Sequence, residues 1–300
     1  MTFCALSSAK GMDIKMTNIL EFNGVYKKIS DFRLENINFA LPKGYIMGLV
    51  GPNGAGKTTS IQLILNMIEK DSGEILIFGQ DNIRNESSVK QDIGVVFDTI
   101  FYVDTWTIKD TEKAISIFYE NWKHDTFIEM IKKFNLPLNR RVKELSRGMQ
   151  MKLMLACAFS HDAKLLILDE PTSGLDPVIR DEFLEVLQEY IKDGERSVLF
   201  STHITSDLEK VADYITLINQ GNMVFTGSVE SLKNSYCRIK GKKCNLTMEL
   251  KKNILGLRIT DIGFEGIIDA KKAVQFENCV LDTATIDEII VCISKGGTQK

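Results

Sequence analysis

Three short stretches carry side chains whose types and spacing suit chemistry on a polyphosphate. The first is Gly51-Pro52-Asn53-Gly54-Ala55-Gly56-Lys57-Thr58-Thr59, a GxxxxGK[ST] pattern. Its glycines let successive backbone N–H groups curl around a phosphate, and the helix opening at its end adds the positive end of its dipole. Lys57 then reaches the β- and γ-phosphates, and the Thr58 hydroxyl is a ligand for Mg²⁺. The pattern needs a buried strand before it and a helix after it, and IMGLV (46–50) and TTSIQLILNMI (58–68) supply both. The second stretch, LLILDE (165–170), buries four apolar residues and delivers two carboxylates at a strand's C-terminal end, where α/β sheets bind ligands. Asp169 suits Mg²⁺ through water, and Glu170 is placed to orient or deprotonate an attacking water. The third, LSRGMQ (145–150), opens a helix with Ser146 as its N-cap, which by itself is an ordinary helix start.

The elements that must hold these groups are legible from periodicity. Strand-length apolar runs occur at 19–22, 37–41, 45–50, 74–79, 93–97, 165–169, 197–201 and 215–219. A helical stretch from Ile108 to His161 is broken by the Asn135-Leu136-Pro137 turn. Strands alternating with helices predict an α/β fold with a mainly parallel central sheet and an α-helical subdomain at about 103–160. Residues 1–15 read as a leader, with Met12 and Met16 as alternative starts, and residues 16–227 as the main domain. After Gly227 the chain turns lysine-rich and weakly alternating, so 228–300 is expected to be a small accessory region closing on the amphipathic IDEIIVCI (286–293).

Composition narrows the classes. The 300 residues carry 37 Lys+Arg against 40 Asp+Glu, a net charge of −3, which is no charge-driven coat for nucleic acid. No apolar run approaches the ~18 residues of a membrane span, and the opening lacks the pattern of a secretory signal, so an intracellular, cytoplasmic chain is expected. Six cysteines (Cys4, Cys157, Cys237, Cys244, Cys279, Cys292) form no CxxC pair and read as reduced thiols. Cys157 falls in an apolar helical stretch and is expected in the core. Cys237 and Cys244 flank a basic segment and could meet.

Taken in order, the phosphate-type loop, the Ser-x-Gly helix start, the acidic strand end, SGLD (173–176) and STH (201–203) resemble the ATP-binding cassette family, whose members are P-loop NTPases. The resemblance covers about residues 16–227. It implies ATP and Mg²⁺ as cofactors and an ATP hydrolase. By that resemblance Gly51 to Thr59 bind the phosphates, and Ser146 and Gly148 contact the γ-phosphate held by a second cassette. Asp169 becomes the Mg²⁺-side aspartate, Glu170 the catalytic glutamate, Asp176 part of the loop that communicates across the dimer, and His203 the switch histidine. Three departures stand out. Arg147 replaces the signature's first glycine and Met149 its glutamine, and Asp98 stands where the family usually has a glutamine touching Mg²⁺ and the membrane partner. The base-stacking aromatic is Tyr26, with Phe32 as the alternative. His124 and His161 match nothing.

The implied partners are a second cassette subunit, identical or related, and a separate transmembrane permease that would hold the chain at the cytoplasmic face of the cell membrane; no nucleic acid is expected. The short signature, the SGLDP loop and the appended C-terminal region are similar to cassettes that drive export of drugs and peptide antibiotics. The alternative is a non-transport ATPase or an ATP-dependent regulator with weak turnover. Phe101, Tyr102, Val103 and Trp106 either form a coupling surface for the permease or pack between the sheet and the helical subdomain.

Overall fold

The computed structural model describes residues 17–276 and 278–296; the expected leader, with Cys4, Met12 and Met16, lies outside them. Strands β1 (Asn18–Ile29) and β2 (Phe32–Pro42) form a hairpin longer than its apolar runs announce. Phe22 pairs with Phe39 across it and their rings stack at 4.4 Å. Strand β3 (Ile46–Val50) leads through the phosphate-type loop into helix α1 (Lys57–Ile64). Then come β4 (Ser72–Ile77), β5 (Gln80–Asp81), α2 (Glu86–Gln91) and β6 (Ile93–Val96). Helices α3 (Ile108–Ile115), α4 (His124–Lys133) and α5 (Arg147–Ser160) follow, then β7 (Leu165–Asp169), α6 (Pro177–Tyr190), β8 (Ser197–Thr202) and α7 (Thr205–Val211). A hairpin of β9 (Tyr214–Asn219) and β10 (Asn222–Ser228) completes this part.

These ten strands make one sheet in the order β5-β4-β1-β2-β10-β9-β3-β8-β7-β6. The expected parallel core is the run β9-β3-β8-β7-β6. Strands β3, β7 and β8 are buried along their whole length, as parallel strands covered by helices on both faces must be. The other half is antiparallel except for the short parallel β10–β2 pair and alternates buried with exposed residues, so the sheet as a whole is mixed.

The stretch 108–161 folds as three helices. Asn135 adopts a left-handed φ of 54° at the expected break. A second break, at 116–123, is tertiary in origin: Gln91 Nε2 donates to Phe118 O, Lys123 N–H to Ser160 O, and Tyr119 stacks on His161 at 3.8 Å. Burial pushes the Cys157 thiol up to about 12, in keeping with a core role. Cys237 and Cys244 are not joined.

From Val229 on the chain builds a second, four-stranded sheet. Its elements are α8 (Val229–Ser235), β11 (Tyr236–Gly241), α9 (Met248–Asn253), β12 (Leu255–Ile259), β13 (Phe264–Asp269), α10 (Ala270–Ala273), β14 (Val280–Thr283) and α11 (Ile286–Gly296). The strand order is β12-β13-β11-β14, and Ile239, Leu250, Ile254, Phe264 and Ile268 form a small core of their own. Helix α11 leaves that core: its Ile286, Ile289, Ile290 and Ile293 join the large cluster under the main sheet.

Candidate functional site

The loop between β3 and α1 is shaped by close approach. A Cβ on Gly51 would lie 2.1 Å from Ile218 O, and one on Gly56 would lie 2.5 Å from Leu34 Cδ2 and 3.0 Å from Phe32 Cζ. Gly54 faces open space, but its φ of 77° favours glycine. The tip of the β9–β10 hairpin fastens this loop to β2: Gly221 N–H donates to Ala55 O at 3.0 Å, and Gly221 O accepts from Glu35 N at 2.8 Å. Lys57 is only 6% exposed, so its ammonium needs partners. It donates to Gly51 O at 2.9 Å and pairs with Glu170 Oε1 at 3.3 Å.

The acidic pair ends β7 as expected. Ser201 Oγ donates to Asp169 Oδ1 at 2.5 Å and accepts from Glu170 N–H at 3.0 Å, so one hydroxyl ties the Asp169 carboxylate to the Glu170 backbone. The Thr58 hydroxyl donates to the same Asp169 oxygen at 3.3 Å. Burial pushes the Asp169 carboxyl above its ordinary range; the Ser201 and Thr58 hydrogen bonds pull it down, and the charges of Glu170 and Asp98 push it up further. Glu170 holds a left-handed φ of 49°, a strained state for a non-glycine residue and the kind found at functional sites. Its Oε2 lies 2.7 Å from His203 Nδ1. Thr58, Asp169 and the nearby Asp98 offer hard oxygen donors, which fit Mg²⁺ because that ion takes one or two carboxylates and completes its shell with phosphate and water.

These groups share one cleft of about 590 Å³, lined by residues 53–59, Phe32, Asp98, Glu170, Ser173 and His203. Phe32 therefore occupies the place expected of Tyr26. Tyr26 sits in β1 opposite Ser72, away from the cleft, because the β1–β2 hairpin continues to a turn at Ser30-Asp31 and carries Phe32 back over Gly56. On the other side of the loop a cavity of about 490 Å³ is bounded by Gly51 to Ala55, His203, Thr205, Asn219 and Gln220 together with Asp287, Ile290 and Val291 of α11.

Ser146, Gly148 and Asp176 are not brought to the cleft. Ser146 caps α5, its Oγ accepting from Met149 N–H at 3.4 Å, and Arg147 packs over Gly174. Gly148 lies under Ile179 of α6, where a Cβ would come within 3.1 Å. Asp176 caps α6, its Oδ1 accepting from Val178 N–H and Ile179 N–H at 3.1 Å each. The 170–176 segment thus runs from the cleft, at Ser173, to this second surface.

Sequence reasoning missed three supports. Ser201 was in view as part of STH but unassigned. Gly221 had only a turn signal. Buried Asp207 of α7 accepts from Thr172 Oγ1 at 2.6 Å and ties that helix to the segment after Glu170; burial holds its carboxyl above the usual range. The aromatic segment divides between the two readings offered for it. Tyr102 packs inward against Cys157, whereas Phe101 is 71% exposed and rims a groove of about 290 Å³ with Phe97, Phe118 and Tyr119. His161 is buried beside Gln91 O, and His124 pairs with Glu112, so both are structural.

Comparison with known proteins agrees with this geometry. Residues 34–173 match the family model described as ABC transporter. The chain is 33% identical over 209 residues to the ABC transporter ATP-binding protein NatA of Bacillus subtilis, covering 67% of this chain and 84% of that one. It is 31% identical over 215 residues to the bacitracin transport ATP-binding protein BcrA of Bacillus licheniformis, covering 70% and 68%. Among solved structures, an ATP-binding subunit of an ABC transporter superimposes with a TM-score of 0.66 at 25% identity, covering 72% of this chain and 92% of that one.

Proposed function

The chain belongs to the ABC transporter family and is an ATP hydrolase, and on that premise we propose that it powers a separate transmembrane permease as one of two paired cassettes. The observation that carries the pairing is the division of labour: Lys57, Thr58, Glu170 and His203 line one cleft with Asp169 bonded to Thr58 beside it, while Ser146 is exposed at the start of α5 and Gly148 lies under Ile179, both away from that cleft. A triphosphate in the cleft is then completed by Ser146 of a second cassette chain, set head to tail.

Within one chain each residue has a defined task. The amides of residues 53–57 wrap the phosphates, and the Lys57 ammonium moves from the Gly51 carbonyl to phosphate oxygens. The Phe32 ring stacks on the base. Glu170 takes a proton from the attacking water, its carboxylate steered by Lys57 on one oxygen and His203 on the other. Thr58 and Asp169, with Asp98 beside them, would hold Mg²⁺, which would supply charge neutralisation at the phosphate oxygens. ATP favours the closed pair and hydrolysis releases it, an ordinary population shift.

No described helix is long and apolar enough to cross a membrane, and the exposed Phe101, Ile117 and Phe118 around the aromatic groove suit a docking permease that holds the chain at the cytoplasmic face. Export of a drug- or peptide-like cargo is supported by the likeness to a bacitracin transport protein.

Mixing two inactive variants tests the pairing. Lys57→Ala breaks one half of a shared site and Ser146→Arg the other, so each alone is inactive while an equimolar mixture regains part of the wild-type turnover. Full turnover by purified Ser146→Arg would overturn the proposal, as would a mixture no faster than its parts.

A further inference from the structure

Helix α11 packs on β12 and β13 of the C-terminal sheet and at the same time docks on α7, on the nucleotide side of the main domain. Its Ile286, Ile289, Ile290 and Ile293 are buried in the same cluster as Leu208 and Val211 of α7. Two polar contacts fix the pairing: Thr205 Oγ1 donates to Asp287 Oδ1 at 2.8 Å, and Ile286 N–H donates to Glu209 Oε1 at 3.0 Å. In the same first turn Arg238 of β11 holds Glu288 Oε1 at 2.9 Å, and Thr285 and Glu288 cap the helix reciprocally. A continuous set of contacts therefore runs from the small sheet to α7.

Helix α7 starts two residues after His203 and has only seven residues, too few to be stable by itself. Its inner side is set by Leu208, which lies so close to β3 that a Cβ on Gly48 would come within 2.1 Å of Leu208 Cδ2, and by the Asp207–Thr172 hydrogen bond. Along another side Thr205 and Glu209 bond to the start of α11, while Ser206 and Lys210 stay exposed. Asp287, Ile290 and Val291 also share a cavity with His203 and the outer face of the phosphate loop.

We propose that α11 is a brace for hydrolysis: it fixes α7, and through α7 the position of His203 against Glu170, so that the C-terminal sheet governs turnover. Thr205 and Asp287 are then positioning residues. The proposal rests on the roles given above to Glu170 and His203.

The test compares full-length Thr205→Val, Asp287→Ala, the double variant and Asp287→Asn. Loss of the Thr205–Asp287 hydrogen bond lowers kcat about fivefold while KM for ATP changes by less than about twofold. The double variant is no slower than either single one, because both remove the same contact. Asp287→Asn keeps an oxygen that accepts from Thr205 and restores kcat. Thr205→Val replaces a hydroxyl with a methyl and serves if Asp287→Ala misfolds. Wild-type kcat in Thr205→Val and Asp287→Ala overturns the brace, as does an equal loss in Asp287→Asn. His203→Ala separates the two levels: if it keeps full turnover, the role given to His203 fails; if it is inactive while the Thr205 and Asp287 variants are unimpaired, only the brace fails.

Discussion

Replacing Phe32 with leucine isolates the ring's contribution to nucleotide binding. Leucine keeps an apolar side chain over Gly56 and beside Leu34, where Phe32 now packs, but removes the π-face. Base–aromatic stacking is worth about 1–3 kcal/mol per base, and about 1.4 kcal/mol is a tenfold change in affinity. Phe32 is half-buried, so one face is available, and leucine retains some contact with the base. The lower half of that range applies, and Kd for ATP should rise roughly 5- to 30-fold. Calorimetric titration in a Glu170→Gln background prevents turnover from confusing the measurement. Repeating it with GTP and with inorganic triphosphate divides base from phosphate: both nucleotides weaken together and triphosphate does not change. Tyr26→Leu leaves all three affinities at the wild-type value. The reasoning is wrong if Tyr26→Leu costs more ATP affinity than Phe32→Leu. It is also wrong if triphosphate weakens as much as ATP, since the ring would then be shaping the loop rather than stacking.

Glu170→Gln should bind ATP normally, lower steady-state phosphate release about 10²- to 10⁴-fold, and elute as a dimer with MgATP; wild-type phosphate release would remove Glu170 from its role as base. Asp169→Asn should melt at a higher temperature than wild type at pH 7 while losing Mg²⁺-dependent turnover. Burial holds the folded pKa of Asp169 above its unfolded value, so its contribution favours the fold at low pH and is lost as pH rises through the folded pKa. The advantage of asparagine therefore shrinks as pH falls toward the ordinary carboxyl range, and thermal melts across acid to neutral pH that show no such convergence contradict the sign.

The groups proposed for catalysis are readable because each lies on a local pattern: the loop 51–59 between strand and helix, the carboxylates after LLIL, the histidine after SVLFST. Phe32 was harder. Polar residues Lys28, Arg33 and Glu35 make the end of the β1–β2 hairpin look like a loop, and they are in fact the exposed positions of two paired strands. Ser201, Asp207 and Gly221 act through partners 31 to 186 residues away, Glu170, Thr172, Ala55 and Glu35 among them, which only the strand order reveals. The antiparallel half of the main sheet and the lysine-rich C-terminal sheet were blurred for a common reason. Their strands are covered on one face or are short, so the apolar signal is diluted.

Hairpin tips are normally where a chain tolerates added residues. The Gln220-Gly221 tip is an exception. Gly221 meets β2 so closely that a side-chain carbon there would fall 1.6 Å from Arg33 O, and its N–H and carbonyl are both committed, to Ala55 and to Glu35. An affinity tag, a reporter graft or a one-residue lengthening at this exposed-looking bend would unhook the phosphate loop from the strand beside it, so labels for single-molecule or imaging work belong on other turns.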